Sequence, residues 1–277
     1  MSDEPLIAVF VDYENLALGV RDMRSGDLQI KLVLKRMLEK GRIVFKRAYC
    51  DWSRYRNAVR EFHQQGIEMI DIPRSKMSGK NSADIHMVVD ALDLCYSKDH
   101  IDAFALLTGD SDFSPLVSKL KENNKRVIGI GVKNSTSNLL INNCDEFIYY
   151  DDLVRVSEKP KLAPKQRKSA AKTKTSSGKK AEVEAAAEPA RSGEEGAKQD
   201  EALDQLLEIV RSLEAEYDPL WGSLIKQTIR RVYPGFNERY HGYKNFADLL
   251  EDAEDLGYLR LDFDEGRGNY KVRSRDD

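Results

Sequence analysis

Six short runs of apolar and β-branched residues punctuate the first half of the chain: Leu6 to Val11, Ile43 to Tyr49, Ile67 to Ile72, Ala103 to Leu107, Val127 to Ile130 and Phe147 to Tyr150. Each has the length of a strand. Between them the spacing becomes helical. Leu32, Leu34, Met37 and Leu38 fall within Leu28 to Leu38, and Phe113 to Leu120 is a further candidate. Ile85, Val88, Val89, Leu92 and Cys95 keep the i, i+3, i+4, i+7 rhythm of a buried stripe. Strand and helix in alternation predict an α/β fold whose mostly parallel sheet is covered on both faces. Ligands of such sheets bind outside the carboxyl ends of the strands.

Past residue 158 the pattern stops. Lys159 to Lys180 holds nine Lys or Arg and no acid among Ala, Ser, Thr and Pro, and an Ala/Glu stretch continues to Glu195. With no periodic apolar face, residues 159–200 read as a basic, disordered linker. Amphipathic spacing resumes with Leu203, Leu206, Leu207, Val210 and Leu213, then Leu224, Ile225, Thr228, Ile229 and Val232, then Phe246, Leu249, Leu250, Ala253 and Leu256. Three short helices followed by Tyr258 to Phe263, a Gly266-Arg267-Gly268 turn and Asn269 to Val272 describe a helical unit closed by a hairpin, the architecture of a winged helix. The expected organisation is a first domain over 1–158, a linker over 159–200 and a small second domain over 201–277.

Of the 277 residues 41% are apolar and 33% charged, wetter than one compact globule and in keeping with a linker that folds against nothing. No run approaches the ~20 apolar residues of a membrane span, and the start lacks the basic and apolar segments of a secretory signal. A soluble cytoplasmic protein is expected. Cys50, Cys95 and Cys144 are isolated, and no Cys/His spacing involves His63, His86, His100 or His241, which argues against disulfide scaffolds and zinc sites. The net charge of −3 divides into −2 over 1–158, +5 over 159–200 and −6 over 201–277. Such a linker either raises affinity for a polyanion without choosing sequence or serves only to keep the chain in solution.

The unusual residues fall at the predicted strand ends. Asp12 follows the first run directly, in Val11-Asp12-Tyr13-Glu14-Asn15, and Asp110 and Asp112 follow the fourth, in Thr108-Gly109-Asp110-Ser111-Asp112-Phe113. If the first and fourth strands are neighbours at the centre of the sheet, these three carboxylates converge on one edge. Asp84 opens the helix that leads into the fourth strand; at ~100° per residue, Asp90 and Asp93 point well away from it. Clustered carboxylates raise one another's pKa unless a cation holds them. Mg²⁺ or Mn²⁺ suits hard oxygen ligands, retains waters and is shared with substrate phosphates. Phosphodiester hydrolysis fits that apparatus, and with no His in these segments an imidazole acid–base pair is disfavoured.

Each acid also has a structural alternative. Ser82 can cap a helix with Asp84 in its first turn, Asp112 can cap the next helix ahead of Pro115, and Asp12 can start a turn. Asn15, Thr108 and Ser111 stand between orienting a ligand and shaping a turn, and Lys80 between reaching a phosphate and being merely solvated. In the second domain Lys226, Arg230, Arg231, Arg239 and Lys244 interleave with Tyr233, Tyr240 and Tyr243. That mixture suits phosphate contacts and base stacking, or a solvated helix face.

Three segments, Phe10-Val11-Asp12-Tyr13-Glu14-Asn15-Leu16, Gly79-Lys80-Asn81-Ser82-Ala83-Asp84-Ile85 with Asp90 beyond it, and Thr108-Gly109-Asp110-Ser111-Asp112-Phe113-Ser114-Pro115-Leu116, resemble the NYN domain, a PIN-like nuclease fold, over about residues 5–150. The resemblance implies a metal-dependent ribonuclease whose catalytic and metal-holding acids are Asp12, Asp84, Asp110 and Asp112, with Asn15 nearby. Asp90 matches a further acid of the family. Leu224 to Phe236, ending in Pro234-Gly235-Phe236, and Tyr240 to Phe246 resemble the LOTUS domain, also called OST-HTH, over about residues 201–273. That resemblance implies RNA binding, structured and guanine-rich RNA included, and in some members helicase binding.

The expected function is a Mg²⁺- or Mn²⁺-dependent endoribonuclease acting on single-stranded or structured RNA recruited by the C-terminal domain. Lys80, Lys226, Arg230, Arg231, Arg239, Tyr243 and Lys244 would contact the RNA, and an RNA helicase or other RNA-processing protein would be a further partner. The alternative is a non-catalytic RNA-binding or regulatory adaptor. A phosphatase of the haloacid dehalogenase type wants Asp-x-Asp after the first strand, where this chain has Asp12-Tyr13-Glu14.

Overall fold

Each of the six apolar runs forms a strand, and their order puts the first and fourth side by side. The computed structural model describes residues 4–23, 27–73, 82–157 and 193–275, and the chain divides into two units, Met1–Lys159 and Pro160–Asp277. In the first unit β1 (Leu6–Asp12), β2 (Arg42–Cys50), β3 (Glu68–Asp71), β4 (Ala103–Leu107), β5 (Arg126–Gly131) and β6 (Glu146–Tyr149) form one sheet in the order β3-β2-β1-β4-β5-β6. All its pairings are parallel. Parallel neighbours need long crossovers, which carry α1 (Tyr13–Asp22), α2 (Ile30–Lys40), α3 (Arg56–Gln64), α4 (Ser82–Ser97), α5 (Ser114–Glu122) and α6 (Asn138–Asn143); α7 (Tyr150–Ser157) follows β6.

Helices on both faces explain why β1 is apolar at nearly every position. Ile7, Val9 and Val11 enter one core with Leu16, Val20, Val33, Met37 and Phe62, while Ala8 and Phe10 enter another with Met87, Leu116, Val117 and Leu140. Burying a side chain of that size contributes roughly 1.5–3 kcal/mol, so β1 is pinned from both sides. The stripe expected on α4 is corrected by the structure. Met87, Ala91 and Cys95 are the buried residues, with Val88 and Leu92 partly buried beside them, whereas Ile85 is 61% exposed and Val89 58%. This helix is apolar enough for more than one stripe to fit its period, and contact with the sheet selects between them.

In the second unit α8 (Gly193–Glu214), β7 (Leu220–Trp221), α9 (Gly222–Val232), α10 (Phe246–Asp255), β8 (Leu259–Asp264) and β9 (Asn269–Ser274) follow in order. The three apolar stripes expected there form its core, from Leu203, Leu206 and Val210 through Ile225 and Ile229 to Leu249, Leu250 and Ala253. Asn245 caps α10 by accepting the Asp248 N–H at 3.1 Å. β8 and β9 pair antiparallel with Leu261 opposite Val272, and β7 lies on the other side of β9. Gly268, at φ +59°, closes the hairpin in the left-handed region. Because α8 begins at Gly193, residues 193–200 are helical where linker was expected; the basic run Lys159 to Lys180 lies outside the described residues. Among the described residues no helix is long and apolar enough to cross a membrane. Cys50, Cys95 and Cys144 are free thiols.

Candidate active site at the carboxyl edge of the sheet

β1 and β4 run parallel with Val11 opposite Leu107, so the residues that follow them emerge on the same edge. Asp12 ends β1 and caps α1, its Oδ1 accepting the Asn15 N–H at 3.3 Å. Its Oδ2 accepts the hydroxyl of the fully buried Thr108 at 3.0 Å. Thr108 Oγ1 in turn accepts the Asp110 N–H at 3.2 Å, and Asp110 Oδ1 accepts the Asp112 N–H at 2.9 Å. Asn15 closes the set by accepting the Gly109 N–H on Oδ1 at 2.8 Å. Gly109 is required by packing: a Cβ there would lie 2.7 Å from the Ser135 carbonyl oxygen. Two loops far apart in sequence are thus tied by side chains that had each allowed a plain turn reading.

Asp84 comes to the same edge from the first turn of α4. Burial raises its pKa, and Asp110, Asp112 and Glu14 raise it further. Asp12 is pushed up to about 7, first by burial and then by Asp84, with a smaller contribution from Asp110; the bonds from Asn15 N–H and Thr108 oppose the rise. Of the four acids expected from the sequence, Asp84 and Asp110 thus repel Asp12, and Asp110 and Asp112 repel Asp84. Glu14, which the sequence reading passed over, joins them at the start of α1; its place two residues after Asp12 was the available signal. Asp110, and not Asp112, supplies a cap, holding the short 3₁₀ turn Ser111–Phe113. α5 follows with no side-chain cap and Pro115 in its first turn, because the turn before it already orients the chain.

The remaining expected residues fall elsewhere. Asp90 accepts the Tyr49 hydroxyl at 2.6 Å and Arg47 Nη1 at 2.7 Å, while the rest of the Arg47 fork holds Glu68. It ties α4 to β2, whose Arg47 also holds Glu68 of β3, and does not join the acids. Lys80 lies outside the described residues. In the second unit Lys226 and Arg230 both hold Glu238 at 3.2 Å. Burial works against the Glu238 charge, yet its own backbone N–H and these two cations keep its carboxyl below the ordinary range. Arg231 donates to Thr228 at 2.9 Å, and Arg239 and Lys244 are exposed. Tyr243 is the departure: its ring is 7% exposed within the core and its hydroxyl donates to Asp252 at 2.7 Å, so it offers no face to a base. Tyr240, by contrast, is exposed, with Lys198 Nζ 4.9 Å from its ring centre.

Parts of the chain are similar to known proteins. An uncharacterized protein of Methanocaldococcus jannaschii, MJ0482, is 28% identical over 186 residues, covering 67% of this chain and 72% of its own. A crystal structure of a protein of unknown function, VPA0982 from Vibrio parahaemolyticus, spans 55% of this chain and 97% of that one at 26% identity, with a TM-score of 0.49. Residues 6–152, from β1 into α7, match the NYN domain. They include the whole parallel sheet and every acid gathered at its edge, and on that match the chain belongs to the NYN domain family, part of the PIN-like nuclease superfamily.

Proposed function

We propose that the protein is a metal-dependent endoribonuclease. The observation that carries this reading is the convergence of Asp12, Asp84, Asp110 and Asp112 at one sheet edge, with Asp12 and Asp84 raised by burial and by neighbouring carboxylates. The donor chemistry fits a hard divalent cation such as Mg²⁺ or Mn²⁺. Among the described residues no three acids are gathered closely enough to hold one ion directly, which agrees with binding through one or two carboxylates and retained water. Such an ion supplies a Lewis acid for the phosphate and makes water more acidic. The chain's own part is positional: Thr108 and the Asn15 N–H aim the Asp12 carboxylate, and the Asn15 side chain fixes Gly109 and with it Asp110. Cleavage by a pair of imidazoles finds no support, since no histidine stands among these residues.

The second unit, read as a winged-helix LOTUS domain, would recruit RNA through Arg239, Lys244 and the outer donors of Lys226 and Arg230, and would be the docking point for a helicase or another RNA-processing protein. A weak affinity suffices, because joining two sites in one chain raises their effective concentration. The adaptor reading keeps one specific support, the structural use of two of the acids: Asp12 caps α1 and Asp110 caps the Ser111–Phe113 turn. The deciding experiment compares the protein with its Asp110→Asn variant on labelled single-stranded and structured RNAs in Mg²⁺, Mn²⁺ or EDTA. Metal-dependent cutting by the unaltered protein, abolished in the variant while RNA is still bound, is the expected result. Binding without cutting by both establishes the adaptor.

A further inference from the structure

The proposed site gathers carboxylates, and an RNA strand adds only more negative charge, so a cation must hold the strand beside them. Arg54 is placed to do so. It ends the 3₁₀ turn Trp52–Arg54 after β2, and β2 is the neighbour of β1 on the side away from β4. The turn is fixed from below: Trp52 is buried, its indole N–H donates to the Ile70 carbonyl at 3.0 Å and its backbone N–H to Asp71 at 3.1 Å. Arg54 Nη1 donates to Glu14 Oε1 at 2.9 Å, the same carboxylate that adds to the repulsion on Asp84.

The guanidinium is thereby held beside Glu14, itself a neighbour of Asp84, yet the side chain is 46% exposed, and among the described residues its other donors have no partner. Its carbon lies 5.8 Å from the centre of the Tyr55 ring, and Tyr55 packs edge-on against Tyr13, the first residue of α1. Arg56, which opens α3, is exposed and has no carboxylate partner among the described residues. We propose that Arg54 and Arg56 hold backbone phosphates of the RNA strand whose scissile bond lies over the carboxylates. The inference rests on the ribonuclease reading and extends it to the path of the substrate. An exposed ion pair contributes little, so a phosphate that offers two oxygens to the arginine fork displaces Glu14 at small cost. Glu14 holds one donor of the fork until a strand arrives.

The test uses the full chain in EDTA with a single-stranded oligoribonucleotide carrying 4-thiouridine. Binding is followed by anisotropy against salt, and photo-crosslinked peptides are identified by mass spectrometry. Each phosphate contact adds about 0.7 to the log–log salt slope of a single strand, so R54Q/R56Q should flatten that slope by about 1.4 and lose the crosslinks to residues 52–64. R54K/R56K should restore most of the slope, and melting curves confirm that each variant is folded; if the double variant does not fold, R54Q alone should flatten the slope by about 0.7. In Mg²⁺ the same substitutions should raise KM several-fold and leave kcat within about twofold. An unchanged slope, or crosslinks confined to residues 193–275, overturns the proposal. Because binding in EDTA needs no cleavage, a slope that falls in a protein that cuts nothing overturns the ribonuclease reading alone, and cutting with an unchanged slope overturns the strand path alone.

Discussion

Asp12 caps α1 while facing Asp84 and Asp110, and the second circumstance governs its protonation. Its pKa rises from 3.8 to about 7, so between about pH 4 and pH 7 the folded chain binds more protons than the unfolded one, and stability falls as pH rises through that window. The stabilisation is complete below about pH 4 and lost above about pH 7, a total on the order of 4 kcal/mol. Asp84, raised for the same reasons, steepens the fall. Urea unfolding of the metal-free protein at several pH values should show it, and Asp12→Asn should flatten it. A bound cation reverses the effect by favouring the charged carboxylates. At neutral pH, Mg²⁺ at a hundred times its Kd should stabilise by about 2.7 kcal/mol, and Asp110→Asn should shrink that shift in thermal melts. At this scale Asp12 and Asp110 were legible as strand-end acids. Glu14 and Tyr243 were not, because exposure and electrostatic neighbours depend on which surfaces meet.

The α4 helix shows what an element adds to its residues. Its first turn must hold Asp84 at the strand ends, and the Asp90 tie to Arg47 and Tyr49 fixes the helix one and a half turns later. Asp90→Ala leaves the buried Tyr49 hydroxyl without its acceptor and should cost about 1–3 kcal/mol in urea unfolding. If Asp90 were a metal-holding acid, Asp90→Asn would abolish cutting, as is expected of Asp110→Asn. Acting only through the position of α4, it should lower cutting partially and leave the metal-induced melting shift in place. The amphipathic pattern on α4 foretold a helix and part of its buried face: Cys95 is buried and Val88 and Leu92 partly so, whereas Ile85 and Val89 are exposed. Periodicity reports that a stripe exists, whereas the sheet's two cores decide which stripe they take. α3 went unread for the opposite reason: it buries Phe62 alone, so it leaves almost no pattern.

For the molecule as a whole, the two units have separate cores, and every proposed acid belongs to the first. A chain ending at Lys159 should therefore keep metal-dependent cutting of short single strands while binding long or structured RNA more weakly. Loss of cutting on every short substrate would contradict that independence. The sequence by itself determined the six strands, their alternation with helices, the three stripes of the second unit and the acids at the strand ends. Those features follow from periodicity and from where apolar runs stop, which are local. Only the tertiary structure decided that β1 lies beside β4, that Asp84 meets Asp12 while Asp90 is spent on Arg47 and Tyr49, that Lys226 and Arg230 are engaged by Glu238, and that Arg54 stands next to Glu14. Each of these depends on strand order or on which side chains meet once the chain has turned back on itself, and periodicity along the chain does not encode that.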